Sequence, residues 1–304
     1  MKIILYGGSG FIGLNLARFF SINKNNEVLI VSRSSITYDF PENVTFASLE
    51  EFNLNIESHL VNFDYFFYLV NTILPRQKSK NLTAEIDDEK LRIMTVFNAA
   101  FVSNAKLKFV YFSSGGAVYG NYQNNPYKES DPLKPLSCYG KLKLAGENEV
   151  MKLSKKYSIK SIVLRPSNVY GIGQSSNGKQ GIVPFFTHQI MKKLPLTVFG
   201  DGEGKKDYIY IEDFVNSINC LILNNETGIF NIGSGYSSSV NEIISLIENN
   251  IGIKSTRKTI PLISHDVTNF SLDCSHFYAT TSFKCKYSIR EGIKQYIESL
   301  QSNL

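Results

Sequence analysis

Lys2-Ile3-Ile4-Leu5-Tyr6-Gly7-Gly8-Ser9-Gly10-Phe11-Ile12-Gly13 is the stretch from which the fold class follows. Ile3–Tyr6 is a short apolar run without polar alternation, the mark of a strand covered on both faces. The glycines fit two overlapping patterns, G-x-x-G-x-x-G from Gly7 and G-x-G-x-x-G from Gly8. Either spacing allows a tight turn and lets backbone amides approach a pyrophosphate, which then sits at the positive end of a helix. A glycine string alone is weak evidence, but this one follows a strand and opens the helical pattern Phe11–Ile22. Gly7, Gly10, Phe11, Ile12 and Gly13 are therefore read as a dinucleotide-binding loop.

Outward from this loop, Val28–Val31, Tyr65–Val70, Phe109–Phe112 and Ile162–Leu164 repeat the buried-strand pattern. Helical patterns at Asp87–Ser103 and Tyr139–Tyr157 lie between them. Such alternation predicts an α/β chain with a doubly wound parallel sheet, a Rossmann domain, over residues 1–166. After Pro166 the pattern loosens. Glycine and asparagine gather in Gly171–Gly181, and Gly200–Gly204 is rich in turn residues. Helical patterns follow at Val183–Lys193, Glu212–Leu223, Val240–Asn250 and Ile289–Leu300. Residues 167–304 are expected to form mainly a smaller α/β substrate-binding lobe, with segments interleaved with the first domain.

Composition narrows the function classes. With 304 residues, 43% hydrophobic and 19% charged, the chain has ample material for a core. A net charge of +5 is mild, and Lys152, Lys155 and Lys156 stand at helical spacing, which describes a solvated face rather than a nucleic-acid patch. A basic surface would still help to steer an anionic substrate. Cys138, Cys220, Cys274 and Cys285 show no C-x-x-C spacing, and His59, His188, His265 and His276 are scattered. Neither a metal site nor a disulfide framework is expected. No apolar run reaches the ~20 residues needed to span a bilayer, and the first apolar segment runs at once into glycines. A cytoplasmic protein with neither a membrane nor a nucleic acid as partner is expected.

The second strand ends Val31-Ser32-Arg33. An acid at this place would hydrogen-bond the adenosine ribose of NAD and repel a 2′-phosphate. Ser32 removes that charge, and the planar donors of Arg33 suit a phosphate. NADP is favoured, with NAD the alternative.

Tyr139 and Lys143 stand four apart in Tyr139-Gly140-Lys141-Leu142-Lys143, on one face at the start of a helix. An unperturbed phenol titrates near ~10, so lowering it by about 3 units to work near neutrality requires about 4 kcal/mol of differential stabilisation. An ammonium and an oxidised nicotinamide beside the phenolate would both contribute. The pair follows Ser113-Ser114-Gly115-Gly116-Ala117-Val118-Tyr119-Gly120.

These motifs resemble the extended short-chain dehydrogenase/reductases, the nucleotide-sugar epimerase, dehydratase and reductase group. The resemblance rests on Gly7/Gly10/Gly13, Ser113–Gly120, Tyr139/Lys143 and Arg165-Pro166-Ser167-Asn168-Val169-Tyr170-Gly171. It continues in Val198–Gly202, Lys206-Asp207-Tyr208 and Asn231-Ile232-Gly233-Ser234-Gly235. It implies that Tyr139 is the general acid/base and that Lys143 binds the nicotinamide ribose and tunes the tyrosine. A hydroxyl after the fifth strand would bind the reacting oxygen; many members carry it where this chain has Gly115, and double-glycine members use the preceding residue, here Ser114, with Ser113 in reserve. Asn168 would contact the nucleotide diphosphate and Leu196–Phe199 would flank the base. Lys206 stands where an arginine usually grips the diphosphate, and a second family arginine, three residues before the position of Asp266, is replaced by Ile263. Members commonly form homodimers through the helices at Asp87–Ser103 and Tyr139–Tyr157.

The family's dehydratases carry an acidic pair where this chain has Gly116 and Ala117, which move no proton. Two reactions remain. A 4-keto reductase would consume NADPH, in keeping with Ser32-Arg33, on a substrate such as a thymidine diphosphate 4-keto-6-deoxyhexose. A 4-epimerase of UDP-sugars would recycle a tightly bound NAD, and the Ser-Ser-Gly-Gly segment resembles that class. A non-catalytic NADP sensor is the remaining alternative, and such proteins lose the tyrosine–lysine pair.

Overall fold

A computed structural model describes residues 1–33, 38–75, 77–121, 125–175, 181–261 and 269–301. The opening apolar run forms β1 (Lys2–Tyr6), followed by α1 (Phe11–Ser21), β2 (Glu27–Ser32), β3 (Val44–Ser48), α2 (Leu49–Leu54), α3 (Ile56–Leu60) and β4 (Tyr65–Tyr68). Then come α4 (Leu82–Ser103), β5 (Lys108–Phe112), α5 (Gly115–Val118), α6 (Cys138–Tyr157) and β6 (Ser161–Pro166). The remainder adds β7 (Asn168–Tyr170), α7 (Ile182–Met191), β8 (Leu196–Phe199), β9 (Lys205–Tyr210), α8 (Ile211–Leu223) and β10 (Gly228–Ile232). It ends with β11 (Ser237–Ser239), α9 (Val240–Ile251), β12 (Arg257–Ile260), α10 (Ser275–Thr281) and α11 (Ile289–Gln301).

The main sheet has the order β10-β6-β5-β4-β1-β2-β3. Its neighbours from β3 to β6 pair in parallel. Strand order reverses between β1 and β4, the switch point at which doubly wound sheets bind their ligands. The expected α/β Rossmann architecture is the one observed.

By contacts the chain divides into two compact units. The first comprises Met1–Gly120, Leu133–Arg165 and Asn225–Phe230; the second comprises Asn121–Pro132, Pro166–Asn224 and Asn231–Leu304. In the first, both sheet faces are apolar, as the unalternating strands require. One face carries an aromatic layer, with Phe66 stacked on Phe109 at 5.5 Å and Tyr68 on Tyr111 at 5.7 Å between ring centroids. Phe97 of α4 covers Phe109 at 4.7 Å. On the opposite face Phe20 of α1 meets Phe67 edge-on at 6.0 Å. Each such ring buried contributes about 1.5–3 kcal/mol.

The second unit has two small sheets, β11-β9-β7 and β12-β8. Buried carboxylates tie its loops. Asp213 accepts the backbone N–H groups of Lys286 and Tyr287, both at 2.9 Å. Asp207 accepts the Ser234 N–H at 3.0 Å, the Ser234 hydroxyl at 2.9 Å and the Gly235 N–H at 3.2 Å, fixing the Asn231–Gly235 turn.

Two elements differ from the sequence reading. The edge strand β3 carries no apolar run, because Thr45, Phe46 and Ser48 face solvent and only Val44 and Ala47 are buried. Helix α4 starts five residues before Asp87, since the Asn81 side chain caps it by accepting the Ala84 N–H at 3.2 Å.

Candidate active site

At the switch point Gly7 leaves β1 with φ +84, a left-handed conformation that glycine adopts without strain. Its N–H donates to the Val31 carbonyl at 2.8 Å, closing the turn over the carboxyl ends of β1 and β2. At Gly13 a Cβ would collide with the Gly8 backbone, so α1 lies directly on the loop. Gly10 is the opposite case: it is exposed, and a Cβ there would meet nothing within 4 Å. Gly10 also caps α1 without any side-chain hydrogen bond. The first-turn amides of Phe11, Ile12 and Gly13 thus carry the helix's partial positive charge toward an open side. This arrangement fits the pyrophosphate of a dinucleotide. Ser32 ends β2 buried and Arg33 follows it exposed.

The proton-transfer candidates come together within the first unit. Ser114 caps α5 and accepts the Ala117 and Val118 N–H groups through its carbonyl. Ser137 caps α6, its hydroxyl accepting the Gly140 N–H at 3.0 Å, which sets Tyr139 in the helix's first turn. Gly140 packs where a Cβ would strike the Ala117 carbonyl, so α6 starts hard against α5. As a result Ser114 stands next to Tyr139 and acts to lower its phenol's pKa. One helical turn on, Lys143 is 1% exposed; its Nζ donates to the Val70 carbonyl at 3.4 Å and lies 5.9 Å from the Tyr139 ring centroid.

The electrostatics follow from burial. Burial pushes the Tyr139 phenol up to about 12, against the opposing pull of Ser114. Burial likewise drives the Lys143 amine down to about 8, although the Glu89 and Glu147 carboxylates hold it up. A phenol held this high needs cationic neighbours to release a proton near neutrality.

Ser113 is committed elsewhere. Its hydroxyl donates to Glu147, which also takes Arg165 Nη2 at 2.7 Å and Nε at 3.1 and 3.2 Å. Arg165 Nη1 reaches the Tyr119 hydroxyl at 2.9 Å. Glu147 and Glu89, both buried within reach of Lys143, did not emerge from the sequence reading. Their signal was an acid in register with an apolar helical face: Glu89 with Ile93, Val96 and Ala100, Glu147 with Val150.

In the second unit, Asn168 and Lys206 stand on the paired strands β7 and β9. The Asn168 side-chain amide donates to the Asp207 carbonyl at 2.8 Å, and Leu196–Phe199 form β8 beside β12. Ile263, which replaces the second family arginine of the diphosphate grip, and the neighbouring Asp266 lie outside the described residues.

The model of the NAD dependent epimerase/dehydratase family matches residues 3–233. The chain belongs to this family. Its relatives include nucleotide-sugar reductases and epimerases. It is 29% identical over 98% of its length to a dTDP-4-dehydro-6-deoxyglucose reductase of Escherichia coli, covering 97% of that protein. It is also 29% identical to a putative UDP-glucose 4-epimerase of Methanocaldococcus jannaschii, covering 99% of both chains. Among solved family structures, the UDP-glucose 4-epimerase of Thermotoga maritima with UDP-glucose superposes with a TM-score of 0.86 at 27% identity, over 100% of this chain and 99% of that one.

Proposed function

We propose that this chain is a reductase of a nucleotide-linked 4-keto-6-deoxyhexose, a thymidine diphosphate sugar being the preferred substrate, and that it uses NADPH. The Ser114–Tyr139–Lys143 arrangement supports the proton transfer that reductase and epimerase share; the observation that carries the reductase reading is the absence of an acid at Ser32-Arg33, at the end of β2. Likeness over nearly the full length to a dTDP-4-dehydro-6-deoxyglucose reductase supports the substrate class. Ser32-Arg33 at the end of β2 supports the phosphorylated cofactor.

When bound, the reduced nicotinamide supplies the hydride that adds to the ketone carbon. The Tyr139 hydroxyl gives its proton to the carbonyl oxygen as that oxygen gains charge. The Ser114 hydroxyl donates a hydrogen bond to the same oxygen. Lys143 holds the nicotinamide ribose and, as a cation, stabilises the Tyr139 phenolate left behind. Ketone, hydride and proton balance to an alcohol. Asn168 and Lys206 hold the diphosphate, Lys206 as a point charge without the arginine fork. The apolar residues exposed on α4 and α6, Leu91, Met94, Phe101, Val102 and Met151, support a homodimer through these helices.

A second reading, 4-epimerisation of a UDP-sugar with retained NAD, is favoured by the Ser-Ser-Gly-Gly segment and by likeness to the two epimerases above. The near-ultraviolet absorbance of NADPH, followed as enzyme meets a thymidine diphosphate 4-keto-6-deoxyhexose, separates the two. Stoichiometric loss, weaker with NADH, is expected. No loss, with nicotinamide released from denatured protein, would replace the reductase by the epimerase.

A further inference from the structure

The first unit buries a carboxylate for which the proposed chemistry has no use. Glu89 is 1% exposed on the core-facing side of α4. Its Oε2 accepts the Tyr68 hydroxyl at 2.8 Å and Arg92 Nη2 at 3.2 Å. Oε1 accepts the Tyr111 hydroxyl at 3.2 Å, and Arg92 Nε donates to the Tyr68 hydroxyl at 3.3 Å. Burying an acid costs several kcal/mol before its partners offset it, and a leucine would fill the same stripe without that cost. The hydroxyls of Tyr68 and Tyr111 in the aromatic layer both turn to this carboxylate.

The network runs toward Lys143. The Tyr111 hydroxyl packs on Gly146 of α6, where any Cβ would collide with it, so the ring is wedged between α4 and α6. Lys143 Nζ lies over this ring, 5.2 Å from its centroid. A ring whose hydroxyl donates to a carboxylate is the richer in electrons on its face, and it attracts a cation.

Two carboxylates act on Lys143, and they are not equal. Glu147 is met by a guanidinium through three hydrogen bonds, and that pair is 2% exposed on both sides. Glu89 has one contact from Arg92, whose side chain is 30% exposed and screened by water. Glu89 therefore keeps more of its field. The other groups facing Lys143 are the phenols Tyr111 and Tyr139 and the Val70 carbonyl.

We propose that Glu89 is a positioning residue for Lys143, its carboxylate acting through the Tyr111 ring to hold the amine in place and cationic beside Tyr139. The inference deepens the proposed reaction and rests on the reading of Tyr139 and Lys143 as its proton-transfer pair.

The test reads Lys143 directly, in protein free of substrate and cofactor. Lysine labelled with 13C at Cε is titrated by NMR, with the Lys143 signal assigned by its loss in Lys143→Arg. From a wild-type midpoint of about 8, Glu89→Gln is expected to lower it by about one pH unit, and Arg92→Met to raise it. A midpoint unmoved by either substitution would overturn the inference. Should Glu89→Gln fail to fold, Arg92→Met at its half-exposed position decides alone: a rise supports the role and no change removes it. A lysine that follows both substitutions in a protein that consumes no NADPH would overturn the reductase reading alone. A lysine that ignores both in an active reductase would overturn this inference alone.

Discussion

The Ser113 hydroxyl donates to the Glu147 carboxylate, within the hydrogen-bond system that also holds Arg165. Its chain neighbour Ser114 acts instead on Tyr139, whose phenol it draws down. The adjacent serines therefore predict different losses. Ser114→Ala should reduce kcat by about 10²–10³-fold with an unchanged melting temperature. Ser113→Ala should cost about 1–2 kcal/mol of stability with a smaller effect on kcat. Turnover and thermal melting of the two variants check this, and the reverse pattern would reassign the active hydroxyl.

Arg165 supplies the counter-charge of a pair that is buried on both sides. Arg165→Met strands the Glu147 carboxylate and should destabilise the protein by about 3–5 kcal/mol. Combining it with Glu147→Leu should recover a large part of that loss, because neither charge of the pair then remains. Denaturant midpoints of the single and double variants make the comparison.

The glycine loop separates packing from binding. Gly13→Ala forces a methyl into the Gly8 backbone and should cost about 1–3 kcal/mol or more. Gly10→Ala meets open space and should cost about 1 kcal/mol or less. It should nevertheless weaken dinucleotide affinity, measured by fluorescence titration, if the pyrophosphate lies over this turn.

Arg33 is exposed beyond β2. Arg33→Ala should raise the KM for NADPH about 10-fold, the loss of one charge-assisted contact, and leave that for NADH unchanged. Equal effects on both cofactors would remove the 2′-phosphate role.

Acid stability should report on Glu248 at the end of α9. Burial would raise its pKa, but hydrogen bonds from the Ser255 hydroxyl and N–H, Lys254 and Arg257 bring it down to about 2. A carboxyl held below its unfolded value contributes stability above about pH 4.5 and loses it as pH falls toward 2. Glu248→Gln should therefore be about 1–3 kcal/mol less stable at pH 7, with the difference from wild type closing across that window. Urea melts at pH 7, 4 and 3 test the sign.

Periodicity alone determined much of this protein. Strands covered on both faces must be continuously apolar, so β1, β2, β4, β5 and β6 could be read directly. The glycine string between β1 and α1 marked the dinucleotide-binding loop, because glycine permits that turn and that approach of helix to loop. Four-residue spacing sets Tyr139 and Lys143 on one helical face. Tertiary structure decided the rest. Ser113 and Ser114 must point to opposite sides of an extended chain, but only the packing of α6 against α5 decides which one meets Tyr139. Glu89 reads as an acid interrupting an apolar stripe. That it faces Tyr68 and Tyr111, and through them Lys143, depends on how α4 and α6 clasp the sheet, a long-range contact that no local pattern encodes.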